Sequence, residues 1–214
     1  MNGFKTKIII ALLVVAGVVL AVLPNSMQMT RTTSSPTVEV TSPQMQRPES
    51  SATVKLLNTE LLNQNGTPLK FADDIVSDRV IVINFIYTDC KTACPISSAI
   101  FAKLQNQLGE KLQKEVRMVS LSINPTTDTP ESLKTYAAHF NAKPEWVWLT
   151  GEKKSVDDLL KGLGVYSADY SNHSPVILVG DPVSGVWTRF DGLTSPETLA
   201  AKIDELLAAR HEKS

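Results

Sequence analysis

The stretch Val80 to Tyr87, VIVINFIY, constrains the fold more than any other part of the chain. It is nearly all apolar and rich in β-branched side chains, the pattern of a strand covered on both faces. Such a strand needs helices above and below it, which points to an α/β domain. Cys90-Lys91-Thr92-Ala93-Cys94-Pro95 follows at once and leads into a helical pattern. Ile96, Ile100, Leu104 and Leu108 fall four apart on one predicted face, and Gly109 stops the helix. Two cysteines therefore stand where a buried strand hands over to a helix. Ligand sites in such sheets favour the carboxyl ends of strands.

The alternation continues along the chain. Val54 to Leu62 and Leu69 to Phe71 flank Asn65-Gly66, which predicts an N-terminal β-hairpin. Val116 to Ile123 is a second strand. Thr129-Pro130 opens a helix with Leu133, Tyr136, Ala137 and Phe140 on one side. Trp146 to Leu149 is a short strand. Ser155 with Asp158 resembles a capping box for a helix whose inner face is Val156, Leu159, Leu160 and Leu163, ended by Gly164. Val176 to Val179 and Val186 to Phe190 form a hairpin, and Ser195-Pro196 opens a last helix with Leu199, Ile203, Leu206 and Leu207 inward. Two crossover units, a hairpin and a helix make a three-layer α/β domain over residues 54–210.

The first 23 residues differ from the rest. Lys5 and Lys7 precede an uncharged run, Ile8 to Leu23, closed by Pro24. The run spans about 24 Å as a helix, a little short of the ~30 Å hydrocarbon core. That length favours a signal peptide. The missing small-x-small cleavage site favours a retained anchor, which is the reading adopted for residues 1–23. In both cases the lysines stay cytoplasmic and the remainder is exported. Residues 24–53, rich in Ser, Thr, Pro and Gln, read as a flexible linker reaching about 30 Å. Met27, Met29 and Met45 lie scattered in it, without a metal-binding pattern. The net charge of −1 and dispersed Lys and Arg argue against a nucleic-acid partner.

The chemistry concentrates at the cysteines. Pro95 suits the first helical position, which makes Cys94 the predicted N-cap, with Cys90 in the loop before it. Free amides and the positive helix end favour thiolate there. His173, just before the Val176 strand, would face this loop in a thioredoxin-like arrangement. Two thiolates and an imidazole suit copper in either oxidation state, one ion per chain. Structural zinc wants a fourth ligand. The other histidines, His139 on a helix face and His211 in the charged tail, do not offer one. A local structural disulfide would gain little chain entropy. A membrane-tethered thiol–disulfide reductase or redox sensor using Cys90 and Cys94 is the competing functional class.

FIYTDCKTACP (Phe85 to Pro95), SINPTTDTPESLKTYAAHF (Ser122 to Phe140) and DYSNHSPVILVGDPVSG (Asp169 to Gly185) resemble, in order and spacing, the three signature segments of the Sco/SenC family. The resemblance implies a thioredoxin-like fold and copper held by Cys90, Cys94 and His173. It implies a metallochaperone serving the binuclear copper site of a cytochrome c oxidase subunit, with other copper carriers as further partners. It also implies an inner-membrane, single-pass protein with its domain in the periplasm or an equivalent compartment. Some members of the family act instead as thiol–disulfide reductases. Two positions depart from the family pattern. Asn124 and Asn172 stand where the family often has Asp, each removing a carboxylate that could tune the site.

Overall fold

A computed structural model describes residues 49–170 and 174–212. The predicted anchor, most of the linker with its three methionines, Asn172 and His173 lie outside the described residues. Among the described residues no helix is long and apolar enough to cross a membrane.

One mixed sheet organises the domain. Its strands are β1 (Glu49–Ser51), β2 (Glu60–Asn63), β3 (Pro68–Lys70), β4 (Val80–Ile86), β5 (Val116–Ser122), β6 (Trp146–Thr150), β7 (Val176–Asp181) and β8 (Val186–Asp191), in the spatial order β1-β8-β7-β4-β5-β6-β2-β3. The helices are α1 (Ala93–Leu108), α2 (Lys111–Lys114), α3 (Pro130–Ala138), α4 (Lys153–Gly162) and α5 (Pro196–His211). Strands β4, β5 and β6 are parallel, joined by crossovers through α1 and α3. All other pairs are antiparallel, including the β2–β3 and β7–β8 hairpins.

Every residue of β4 is buried, as its composition requires. Its side chains alternate between two cores. Val80, Val82 and Ile86 face a layer built from α1, α3 and α5, with Phe101, Leu104, Leu133, Ile203, Trp146 and Trp148. Ile81, Ile83 and Phe85 face α4 and a π-helical turn at Phe71–Val76, with Val156, Leu159 and Trp187. Each fully buried side chain of this size contributes roughly 1.5–3 kcal/mol. The two cores make the three predicted layers.

Four local expectations change. Glu49–Ser51 pairs with Thr188–Phe190 as an edge strand, so the ordered part begins inside the stretch read as linker. Helix α4 starts at Lys153 on Glu152 with no side-chain cap, so Ser155 does not cap it. Leu163 lies just past the end of α4, still buried in the same core. In α1 the buried face is Cys94, Ser97, Ser98, Phe101, Leu104, Gln105 and Leu108, and Ile96 is 51% exposed. The reason is Asn84, the one amide in β4, fully buried and donating to Ser97 Oγ at 3.1 Å. Ser120 Oγ donates to Asn84 Oδ1 at 2.6 Å and accepts from Trp146 Nε1 at 2.9 Å. This polar thread rotates α1 so that its serines, not Ile96, meet the sheet. The Thr129 and Ser195 caps form as expected, accepting from the Ser132 and Thr198 amides at 3.2 Å.

Candidate metal centre

Strand β4 ends at Ile86, and the chain turns tightly so that the Cys90 amide donates to the Tyr87 carbonyl at 3.2 Å. Helix α1 starts at Ala93 with Thr92 as its N-cap and no side-chain cap. The predicted start two residues later is therefore corrected: Cys94 lies inside the first turn. Pro95 stands third, still within the turn where amides have no helical partner. One of those amides finds a sulfur instead, for Cys94 N donates to Cys90 Sγ at 3.4 Å. Thr92 Oγ1 lies 3.9 Å from the same sulfur. Both cysteines are free and buried.

The two thiols are not equivalent. Burial pushes Cys90 up, but hydrogen bonds from the Cys94 thiol, the Cys94 and Thr92 amides and the Tyr87 hydroxyl outweigh it and lower it to about 7. Burial, then the hydrogen bond to Cys90, pushes Cys94 up to about 12. The hydrogen bond to Cys90, and then burial, raises Tyr87 to about 12 as well. The expectation of thiolate character thus holds for the loop cysteine and fails for the helical one, which sits too deep.

A cavity of about 40 Å³ opens on the pair, lined by Phe85, Tyr87, Cys90, Thr92, Ala93, Cys94, Ser97, Ile123 and Pro175. It has room for an ion or a water or two. Tyr170 packs edge-on against Tyr87 with ring centroids 5.3 Å apart. Tyr170 and Pro175, close on either side of His173 in sequence, are thus both at the cysteine site. Among the described residues there is no group of three or more Cys, His, Asp or Glu set to hold a metal. His139 caps the exposed end of α3, and His211 is largely exposed, 3.6 Å from Glu115. Neither joins the cysteines.

The residues that sequence reasoning missed are Tyr87, Asn84 and Asp128. Asn84 left a signal, a lone amide in an apolar strand. Asp128 left none, since Thr88, which bonds it twice, lies 40 residues away in sequence. It is 1% exposed. Its Oδ1 accepts from Thr88 N at 3.1 Å and Thr88 Oγ1 at 2.6 Å, and its Oδ2 accepts from Ser122 Oγ at 2.6 Å.

A thioredoxin-like sheet with two free cysteines between a central strand and its helix defines a class of proteins whose sulfur pair suits thiol exchange or a soft metal. Comparison with known proteins places the chain within it. The profile of the SCO1/SenC family matches residues 51–208, and the chain belongs to that family. A protein of Stutzerimonas stutzeri described as copper-binding is 30% identical over 106 residues, 50% of each chain. The chain spans about half the length of the curated relatives it matches. A SCO1/SenC family lipoprotein from Bacillus anthracis has a solved structure 26% identical, with TM-score 0.62, covering 74% of this chain and 98% of that one. BsSco, a member of the Sco family of cytochrome c oxidase assembly proteins with a disulfide switch, is 21% identical, with TM-score 0.61 and 73% and 95% coverage. ScoI of Bradyrhizobium japonicum, solved with copper bound, is 22% identical, with TM-score 0.59 and 71% and 98% coverage. These last two likenesses establish the fold.

Proposed function

We propose that this chain is a copper metallochaperone that carries one copper ion on Cys90, Cys94 and His173 and prepares the binuclear copper site of cytochrome c oxidase. The observation that carries the reading is the pair of free, buried cysteines at the start of α1, opening on a cavity sized for one ion. Two sulfur donors suit Cu(I), and an added imidazole extends the site to Cu(II). His173 is two residues from Pro175, which lines the cavity, and two residues span at most about 7 Å. Family membership and the copper-binding relatives support copper as the ion carried. The charge-free run Ile8 to Leu23 would hold the domain at the outer face of the inner membrane, and the lipoprotein relative is consistent with such tethering.

The lowered Cys90 thiol also suits attack on a disulfide, so the same pair can exchange with a client disulfide. The experiment that separates the roles is a Cu(II) titration of the reduced full-length chain and of His173→Ala, followed by optical and electron spin resonance spectra. Loss of the thiolate-to-Cu(II) band with about tenfold or greater weakening of Cu(II) binding is expected. Identical spectra and affinity remove His173 from the site and leave the dithiol reductase.

A further inference from the structure

Two carboxylates are fully buried among the described residues, and they are treated in opposite ways. Asp181 is met by Arg210 Nη2 at 2.5 Å. Among the described residues, Asp128 is met by neutral donors: the Thr88 amide, the Thr88 hydroxyl and the Ser122 hydroxyl. Ser122 Oγ already accepts the Asn124 amide at 3.1 Å, so its proton points at Asp128. All three contacts treat Asp128 as an acceptor-only carboxylate. A buried carboxylate held only by neutral donors keeps a costly charge in the interior. Thr88 is two residues before Cys90, so the carboxylate clamps the turn that presents this sulfur to the end of β5. The Asp128 carbonyl accepts from Thr150 Oγ1 at 2.7 Å, which ties the clamp to β6 as well. Among the influences that raise the Cys94 thiol, the Asp128 charge comes last, behind burial, the hydrogen bond to Cys90 and the Cys90 charge. Asn124 is the neutral neighbour whose carbonyl accepts the Asp128 amide at 3.0 Å.

We propose that Asp128 is a positioning residue and the fixed counter-charge of the cysteine site, biasing it toward Cu(II) over Cu(I) and toward the disulfide over the dithiol. The copper half rests on the ligand set proposed above; the disulfide half does not. The charge balance is explicit. Cu(II) with two thiolates and a neutral imidazole has no net charge. Adding one electron gives Cu(I) and a net charge of −1, which the nearby carboxylate opposes. Likewise the disulfide takes two electrons and two protons to become the dithiol, and negative charge retained on sulfur is opposed in the same way.

Asp128→Asn tests the charge with little change of shape. The amide oxygen can accept both Thr88 bonds, and the amide nitrogen can donate to Ser122 Oγ. The measurements are Cu(II) and Cu(I) dissociation constants of the full-length chain and its dithiol–disulfide equilibrium in glutathione buffers. In Asp128→Asn the affinity ratio should move about tenfold toward Cu(I), about 59 mV for one electron. The thiol equilibrium should move toward the dithiol, with the melting temperature near that of wild type. Wild-type values for Asp128→Asn, with only Asp128→Ala altered, would reduce Asp128 to a structural clasp and overturn the proposal. If Asp128→Asn does not fold, Asn124→Asp adds a charge beside it. Both equilibria must then move the opposite way, and no movement overturns the proposal. A wild-type chain that takes up no copper refutes the copper reading alone, and the glutathione measurement still decides the counter-charge.

Discussion

Cys90 and Cys94 are four residues apart, one in the turn and one in the helix, yet hydrogen bonds and burial separate their acidities widely. Cys90 collects donors from Cys94, Thr92 and Tyr87, while Cys94 is the donor of the pair and lies deeper. A thiol lowered to about 7 is half thiolate near neutral pH, and the thiolate is the nucleophile. Alkylation of the reduced chain by iodoacetamide, followed by peptide mapping, should modify Cys90 with a midpoint near pH 7. Cys94 should remain unmodified until far higher pH. Equal rates at the two sulfurs across that range would contradict the asymmetry. Tyr87→Phe removes one donor to Cys90 and should move its midpoint upward, because the thiolate loses a stabilising bond. The cysteines themselves were legible in the sequence, since a buried strand, a C-x3-C spacing and Pro95 are local signals. Which of the two would be acidic was not legible. That depends on Tyr87 bending back over the turn and on how deeply α1 sets Cys94, neither of which is local.

At the scale of single elements, the seating of α1 on the sheet decides where the sulfurs stand. Asn84, Ser97, Ser120 and Trp146 form one hydrogen-bonded row across β4, α1, β5 and β6. Removing its centre leaves buried hydroxyls unpaired, at roughly 1–3 kcal/mol for each such group. Asn84→Ala should therefore lower unfolding stability by at least about 2 kcal/mol in a denaturant titration. It should also disturb the Cys90 alkylation midpoint, because Ser97 lines the cysteine cavity. Asn84→Ala with wild-type stability would show that the row contributes nothing net. A second element-scale test is Gly180 in β7. A Cβ there would lie 2.2 Å from the Trp187 ring across the β7–β8 pair. Gly180→Ala should cost about 1–3 kcal/mol or more by overpacking, without touching the thiols. The hairpin turns and the helix starts at Thr129 and Ser195 were readable because each is written within a few residues. The face of α1 was readable only in part: Leu104 and Leu108 are buried and Ile100 packs on the core, but Ile96 is exposed and the serines bonded through Asn84, 13 residues earlier, take its place. Asp128 escaped for the same reason, being bonded to Thr88 at a separation of 40 residues.

For the whole molecule, the sheet's two edges are closed differently. On one side the β2–β3 hairpin covers β6. On the other, among the described residues β8 is covered only by β1, three exposed residues paired through Glu49↔Phe190, Ser50↔Arg189 and Ser51↔Thr188. Glu49 also stands 3.5 Å from Lys202 of α5. Strand β1 buries no apolar side chain, so its direct contribution is small. Its larger effect is to occupy the backbone donors and acceptors of β8, a row that otherwise templates pairing with another chain. A chain shortened to begin at Ala52 should lose only a few degrees of melting temperature relative to one beginning at Gln44, about 2–4 °C for a loss near 1 kcal/mol. It should nevertheless associate at concentrations where the longer chain stays monomeric, as read by light scattering or sedimentation. Restoring Glu49–Ser51 alone should restore the monomer. A monomeric short chain at the highest soluble concentration would show that β8 protects its own edge, and β1 would then be a passive lead-in from the preceding segment. The site gives this comparison its control. Cysteines beyond the end of β4 should react identically in both chains, because β1 pairs with β8, and β8 and β7 separate it from β4.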